Sequence, residues 1–416
     1  LNSLNGPALV SDCGGLLHEL ALAIPAAFFN KDRSESNAFA PLVPIGNLLS
    51  SLPDGLKVHI FVSRTCLEEA ALWVQELQLC CLMELVPVLD GLDSITSPWI
   101  QDLVQVRNAC GQSGQCTEII AAPGCEPAAE IARHLRLPLR TNEAVIAGGN
   151  QLVGQQFRLI GASDVVTRSS AGKRADVDVK RWAAVAALDA RGFALFGYRV
   201  TDLSLSWEPG AIEIFPDNGA AQDPKAFVQN CAPRRFAGVH QCGFHVDQFV
   251  TVTGLFSTGR PLLLVADPVS VDGARDRFNE TLKKQLNASA LLLLKQGFAV
   301  LRNPIPVAVA PGTGKRLARL YNNVLLENAC RVGRSSPLVW VPQFSDMEPL
   351  EVFDRENLEI WRRLGFEPVP VRGWSHFAGL NGAIRCVVKV LRRHADHHYK
   401  KKSPGVEGQR TPLNCI

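Results

Sequence analysis

The sequence predicts an α/β fold, with one domain over residues 1–395 and a basic tail over 396–416. Three observations carry that reading. Short β-branched or apolar runs alternate with amphipathic helical patterns along the whole chain, the signature of the α/β class. No Ser- or Gly-rich linker divides the 416 residues. A hydrophobic content of 47% is enough to fill a large core.

Nine runs read as buried strands: 58–62, 86–89, 103–106, 118–121, 157–160, 249–253, 262–265, 298–301 and 339–341. Between them lie helical patterns. Residues 65–79 open on Thr65 with Glu68 three positions later, a capping-box spacing. Residues 127–134, 275–296 and 350–364 read as further helices. The stretches 169–178 and 218–223 read as surface loops within one domain. No internal repeat is visible in the letters, and the basic residues after His394 read as a solvated end.

Bulk properties exclude several classes. Basic and acidic residues nearly balance, 43 against 40, so no dominant basic face points to nucleic acid. No apolar stretch reaches the roughly 18 residues a membrane span needs. Residues 16–29 are apolar but contain His18 and Glu19 and follow no basic segment, so they are not read as a signal peptide. A cytoplasmic location is favoured over a secreted one. Twelve cysteines are irregularly spaced, without a pair of Cys-x-x-Cys motifs. Cys110, Cys116 and Cys125 could form a disulfide or a metal site, but no zinc-type His or Cys pattern supports that, and most cysteines read as small core hydrophobes. Gly312-Thr313-Gly314-Lys315 lacks the full phosphate-loop spacing and reads as a surface loop.

Three polar runs stand out against this background. They are Trp99-Ile100-Gln101-Asp102, Phe244-His245-Val246-Asp247, and Gly382-Ala383-Ile384-Arg385-Cys386 followed by Val387-Val388. An Asp inside an apolar run needs a partner, because burying an unpaired carboxylate costs several kcal/mol. Two carboxylates can fork-bind a planar guanidinium, a thiol can attack its carbon, and an imidazole can move the protons. The bland alternatives are a core cysteine, a hydrogen-bonded core histidine, and Asp residues in caps or turns. Trp99 either packs or lines a substrate stem. Arg107, Arg140 and Arg168 are candidates to hold a substrate carbonyl or carboxylate.

Together these runs resemble the guanidine-modifying (pentein) superfamily, and most closely the catalytic domain of protein-arginine deiminases, with agmatine deiminases next. Trp99-Ile100-Gln101-Asp102 is similar to the family's first motif, His245-Val246-Asp247-Gln248-Phe249 to its second, and Gly382 to Cys386 with Arg392-Arg393 to its ending. Asn322-Asn323 and Val341-Pro342-Gln343-Phe344 resemble the segment before the last repeat. The resemblance covers roughly residues 15–395, in the family order Asp, His-x-Asp, Cys.

The resemblance implies a five-fold pseudosymmetric α/β propeller of ββαβ units around a polar channel. It also implies a hydrolase that converts arginine guanidinium to a ureido group and ammonia, with peptidyl arginine as the substrate. Asp102 and Asp247 would hold the guanidinium, with Trp99 beside it. Cys386 would form a covalent thiouronium, and His245 would shuttle protons. Alternatives kept open are a deiminase of free arginine or agmatine, an amidinotransferase, and a non-catalytic relative. A homodimer is compatible with the reading. The chain departs from the family at Arg385, where His is usual, and at Ala147, where small-molecule deiminases carry Glu before Gly-Gly. Leu103 and Gln105 replace acidic residues of calcium-dependent members, so calcium is doubtful and no cofactor or metal is expected.

Overall fold

A computed structural model describes residues 6–29, 40–88, 97–111, 114–168, 175–207, 233–271, 277–309, 314–346 and 350–394. The fold is mixed α/β, built of several small sheets. The expected tail over 396–416, the loop at 218–223 and Gly312-Thr313 lie outside the described residues.

Five of the sheets share one connectivity: an antiparallel strand pair, then a helix, then a strand parallel to the second of the pair. The first runs Gln105–Gly111, Gly114–Ala121, helix Glu126–Leu135, Leu139–Thr141. The second runs Gln151–Val153, Arg158–Gly161, helix Val179–Ala187, Phe193–Phe196. The third runs Val250–Ser257, Arg260–Ser270, helix Arg277–Lys295, Ala299–Val309. The fourth runs Leu325–Leu326, Leu338–Pro342, helix Glu351–Arg363, Glu367–Val371. The fifth joins opposite ends of the described chain. Lys389–His394 pairs antiparallel with Leu16–Ile24, and helix Leu42–Ser51 leads to the parallel strand Lys57–Ser63. Helix Leu67–Glu76 then adds Leu82–Val88 to that sheet. In every unit the helix supplies the crossover that a parallel pair requires.

The parallel strands carry near-continuous apolar runs because both faces are covered. Leu20 to Ile24 and Val58 to Val62 are buried throughout. One large core joins the second to fifth sheets through Leu20, Val58, Leu159, Leu263 and Trp340. A second packs helix Glu126–Leu135 through Ala128, Ile131 and Ala132 against Ala21, Ala23 and Phe61 of the fifth sheet.

Several expectations are corrected. Residues 103–106 are not one strand: Ile100–Leu103 is a single helical turn, and the strand begins at Gln105. Within that turn the Asp102 carboxylate accepts from the Gly149 N–H. Thr65 is not a helix cap. The Ser63 side chain accepts from the Thr65 N–H, a 3-10 turn spans Arg64–Cys66, and the helix begins only at Leu67. The stretch 169–178 is not loop throughout, since Ala175–Val177 pairs with Val166–Arg168. The repeated connectivity has no counterpart in the letters, because what recurs is topology and not side chains. Cys125 is a free thiol, and Cys13, Cys66, Cys81, Cys242 and Cys386 are buried.

Candidate active site

Each of the five units is entered through a short turn, and the five turns meet. They are Ile100–Leu103, Gly148–Asn150, Val246–Gln248, the Tyr321-Asn322-Asn323 turn, and Ile384–Val387. Gly149 N–H donates to Asp102 Oδ1 at 2.7 Å, joining the first turn to the second. Val246 N–H donates to Asn150 Oδ1 at 3.1 Å, joining the second to the third. Asn323 Nδ2 donates to the Asp247 carbonyl at 3.3 Å and contacts Cys386 Sγ at 3.2 Å. The Cys386 N–H returns to Asn323 Oδ1 at 3.1 Å, which fixes the thiol on the fourth turn.

Asp102, His245, Asp247 and Cys386 are thus brought together. Cys386 Sγ lies 3.5 Å from Asp247 Oδ2, and His245 Nδ1 lies 3.8 Å from Asp102 Oδ2. The Gln248 N–H donates to the His245 carbonyl at 3.4 Å, while the Gln248 side chain accepts from the His245 N–H at 3.1 Å. Phe244 stacks on the ring at 4.1 Å between centroids.

Two glycines are required by proximity. A Cβ on Gly149 would stand 2.4 Å from His245 Nδ1, and one on Gly148 would collide with the Gln101 carbonyl. Trp99 is half-buried, edge-on to Phe377 at 5.8 Å and packed where a Cβ on Gly382 would be.

Arg385 is the largest surprise. Its guanidinium is buried, and all five of its N–H groups have an acceptor: Nε to Asp12 Oδ1, Nη1 to Gly148 O and Asp247 Oδ2, Nη2 to Asp12 Oδ2 and Gln151 O. The side chain standing beside the thiol in sequence therefore neutralises the site's most buried carboxylate. Asp247 Oδ1, by contrast, is buried and has no hydrogen-bond partner.

Electrostatics follow from this packing. Burial pushes the Cys386 thiol well up, and Asp247 and Asp102 push it further. Burial raises the Asp247 carboxyl above its ordinary value, although Arg385 and His245 pull it down. Burial alone would weaken Arg385 as a cation, but Asp12 and Asp247 outweigh it and hold the guanidinium charged. The site thus holds a neutral thiol beside the carboxyl groups of Asp247 and Asp102.

Sequence reasoning missed Asp12 and Gln151, saw Arg385 only as a departure from the family with no chemical role, and saw Gly149 only as part of a turn and Asn323 only within a motif. The arginines it raised lie differently. Arg107 and Arg140 both pair with the buried Glu118, and the Arg168 side chain lies outside the described residues. A cleft of about 260 Å³ borders the site through Phe244, Gln248 and Asn381, with Phe249, Phe278 and Leu282 among its walls. No protein-family model matches this sequence, and no curated protein matches it.

Proposed function

We propose that the chain is a guanidine deiminase acting on arginine in a peptide or protein, built as a five-fold pseudosymmetric α/β propeller of the pentein type. The observation that carries the proposal is the meeting of a thiol, an imidazole and two carboxylates, one of which has a buried oxygen without a partner. The shared connectivity of five units, each contributing its entry turn, supports the propeller.

The guanidinium would donate to Asp247 Oδ1 and Asp102 Oδ2, and its charge would bring the Cys386 thiol within reach of ionisation. Sγ attacks the guanidinium carbon. A C–N bond breaks, and the proton from the thiol leaves with ammonia by way of His245. Water, deprotonated by His245, then attacks the thiouronium carbon, and the C–S bond breaks to give a ureido product and the free thiol.

The exposed Phe244 face and the adjoining cleft support an extended substrate over a small one. Gln105 donates to the Ile146 carbonyl and accepts from Lys389, which supports leaving calcium out. A second reading is a protein that binds guanidines without turnover. It is favoured by the Arg385 guanidinium already on Asp247.

The deciding experiment compares ureido product from a blocked arginine ester, free arginine and agmatine, in chelator and with calcium. Turnover of the ester in chelator, lost in Cys386→Ser, is the expected result. Faster turnover of agmatine reassigns the substrate. Binding without product in all three favours the second reading.

A further inference from the structure

A separate cluster lies between the fifth sheet and the helix of the first unit. His59 and Glu84 are register partners on neighbouring parallel strands, and His134 sits in the last turn of helix Glu126–Leu135. Donor atoms of His59, Glu84 and His134 all lie within 4.8 Å of one another. None of these residues belongs to the candidate active site.

The state of His59 makes the cluster more than a set of polar neighbours. The residue is 3% exposed. Its Nε2 is 2.7 Å from Glu19 Oε1, so that nitrogen carries a hydrogen and Nδ1 of the neutral ring presents a lone pair. Nδ1 is buried without a hydrogen-bond partner, yet it stands 3.2 Å from Glu84 Oε2. In that tautomer the Nδ1 lone pair and the carboxylate oxygen face each other, and a proton or a metal cation between them relieves the repulsion. On the other side, His134 Nε2 stands 3.1 Å from Glu84 Oε1.

The geometry points to one divalent cation of the zinc class held by His59 Nδ1, Glu84 and His134 Nε2. Metal–donor distances of about 2.0–2.1 Å in a tetrahedron put neighbouring donors about 3.3 Å apart; each imidazole stands near that distance from a different oxygen of Glu84, 3.1 Å from Oε1 for His134 and 3.2 Å from Oε2 for His59, so the carboxylate bridges the two rings. Two imidazoles and one carboxylate form a borderline donor set that suits zinc better than calcium or magnesium. Glu19 completes the site from behind. A carboxylate on the far nitrogen fixes the tautomer and the ring orientation of a metal-bound histidine. His134 and Glu84 are partly exposed, which leaves a route in and a fourth position for water. Lys57 Nζ, 2.9 Å from Glu84 Oε2, is the competing cation, and Arg392 stands 3.7 Å from Glu19. Bound there, the ion ties the first unit's helix to the fifth unit's sheet.

The test is titration of the chelator-stripped full chain with zinc by calorimetry, and with cobalt(II) by visible absorption. Expected are one equivalent bound with micromolar or better affinity, and cobalt bands without sulfur-to-metal charge transfer. Binding should weaken at least about 100-fold in His134→Ala and about 10- to 100-fold in Glu19→Gln. It should tighten in Lys57→Ala and stay unchanged in Cys386→Ser. His134→Gln serves if His134→Ala does not fold. Only millimolar affinity, unchanged affinity in both His134 variants, or loss in Cys386→Ser with sulfur charge transfer overturns the site.

Discussion

Arg385 Nη1 donates to Asp247 Oδ2 at 2.8 Å while Asp247 Oδ1, on the same buried carboxylate, has no partner. One oxygen is committed to an internal guanidinium, and on the proposed reading the other would take a second one. Removing the internal cation should leave Asp247 and Asp12 uncompensated. Arg385→Met is expected to lower stability by about 3–5 kcal/mol, as for a broken buried ion pair. Adding Asp247→Asn in that background should recover part of the loss. Urea unfolding of the two single variants and the double variant measures the coupling, and additive losses would contradict it.

Cys386 should react in inverse order to ordinary thiols. Its burial and its carboxylate neighbours hold it protonated, whereas Cys80 and Cys330 are exposed. Neutral iodoacetamide should therefore label Cys80 and Cys330 first. A haloacetamidine, which carries the positive charge the two carboxylates seek, should label Cys386 first. Cys386→Ser should abolish turnover by roughly a thousandfold or more. The same order of labelling with both reagents would remove Cys386 as nucleophile.

Gly149→Ala should be a catalytic lesion, with a loss of stability of about 1–3 kcal/mol from overpacking. The added methyl would stand 2.4 Å from His245 Nδ1, so the ring must move. Displacing a reacting group by about 1 Å costs on the order of 100-fold in rate. Turnover and thermal melting of this variant, measured together, distinguish a displaced ring from a disrupted fold.

Lys389 gives a pH dependence of stability. Burial, with Arg385 adding to it, pushes its ammonium down to about 7. Between its unfolded value near 10.5 and about 7 the unfolded chain binds a proton that the native chain does not. The lysine's cost therefore grows as pH falls through that window and is fully present below about 7. Lys389→Met should stabilise by on the order of 3 kcal/mol at pH 7, net of the lost Gln105 bond, and by little above pH 10.5. Unfolding curves at both pH values check the sign.

The catalytic candidates were legible because Asp102, His245, Asp247 and Cys386 are polar letters inside apolar runs. Arg385 and Gly149 were not, because their roles are contacts with residues far away in sequence. Asn323 lies 63 positions from the thiol it holds, and Asp12 lies 373 from Arg385. The long strands and the helices at 127–134 and 350–364 showed as periodicity. Strands such as Leu325–Leu326 and Gln151–Val153 are too short to carry a period. Leu16–Ile24 is nearly all apolar, which hides alternation.

The pairing of Lys389–His394 with Leu16–Ile24 sets a timetable as well as a shape, since Leu16 is matched with His394. A ribosome delivers the early strand long before its partner emerges, so the fifth sheet stays open through most of synthesis. Cys386 is read out immediately before Lys389–His394. On the proposed reading, a growing chain would hold Asp102, His245 and Asp247 without their thiol, and reactivity would arrive with closure.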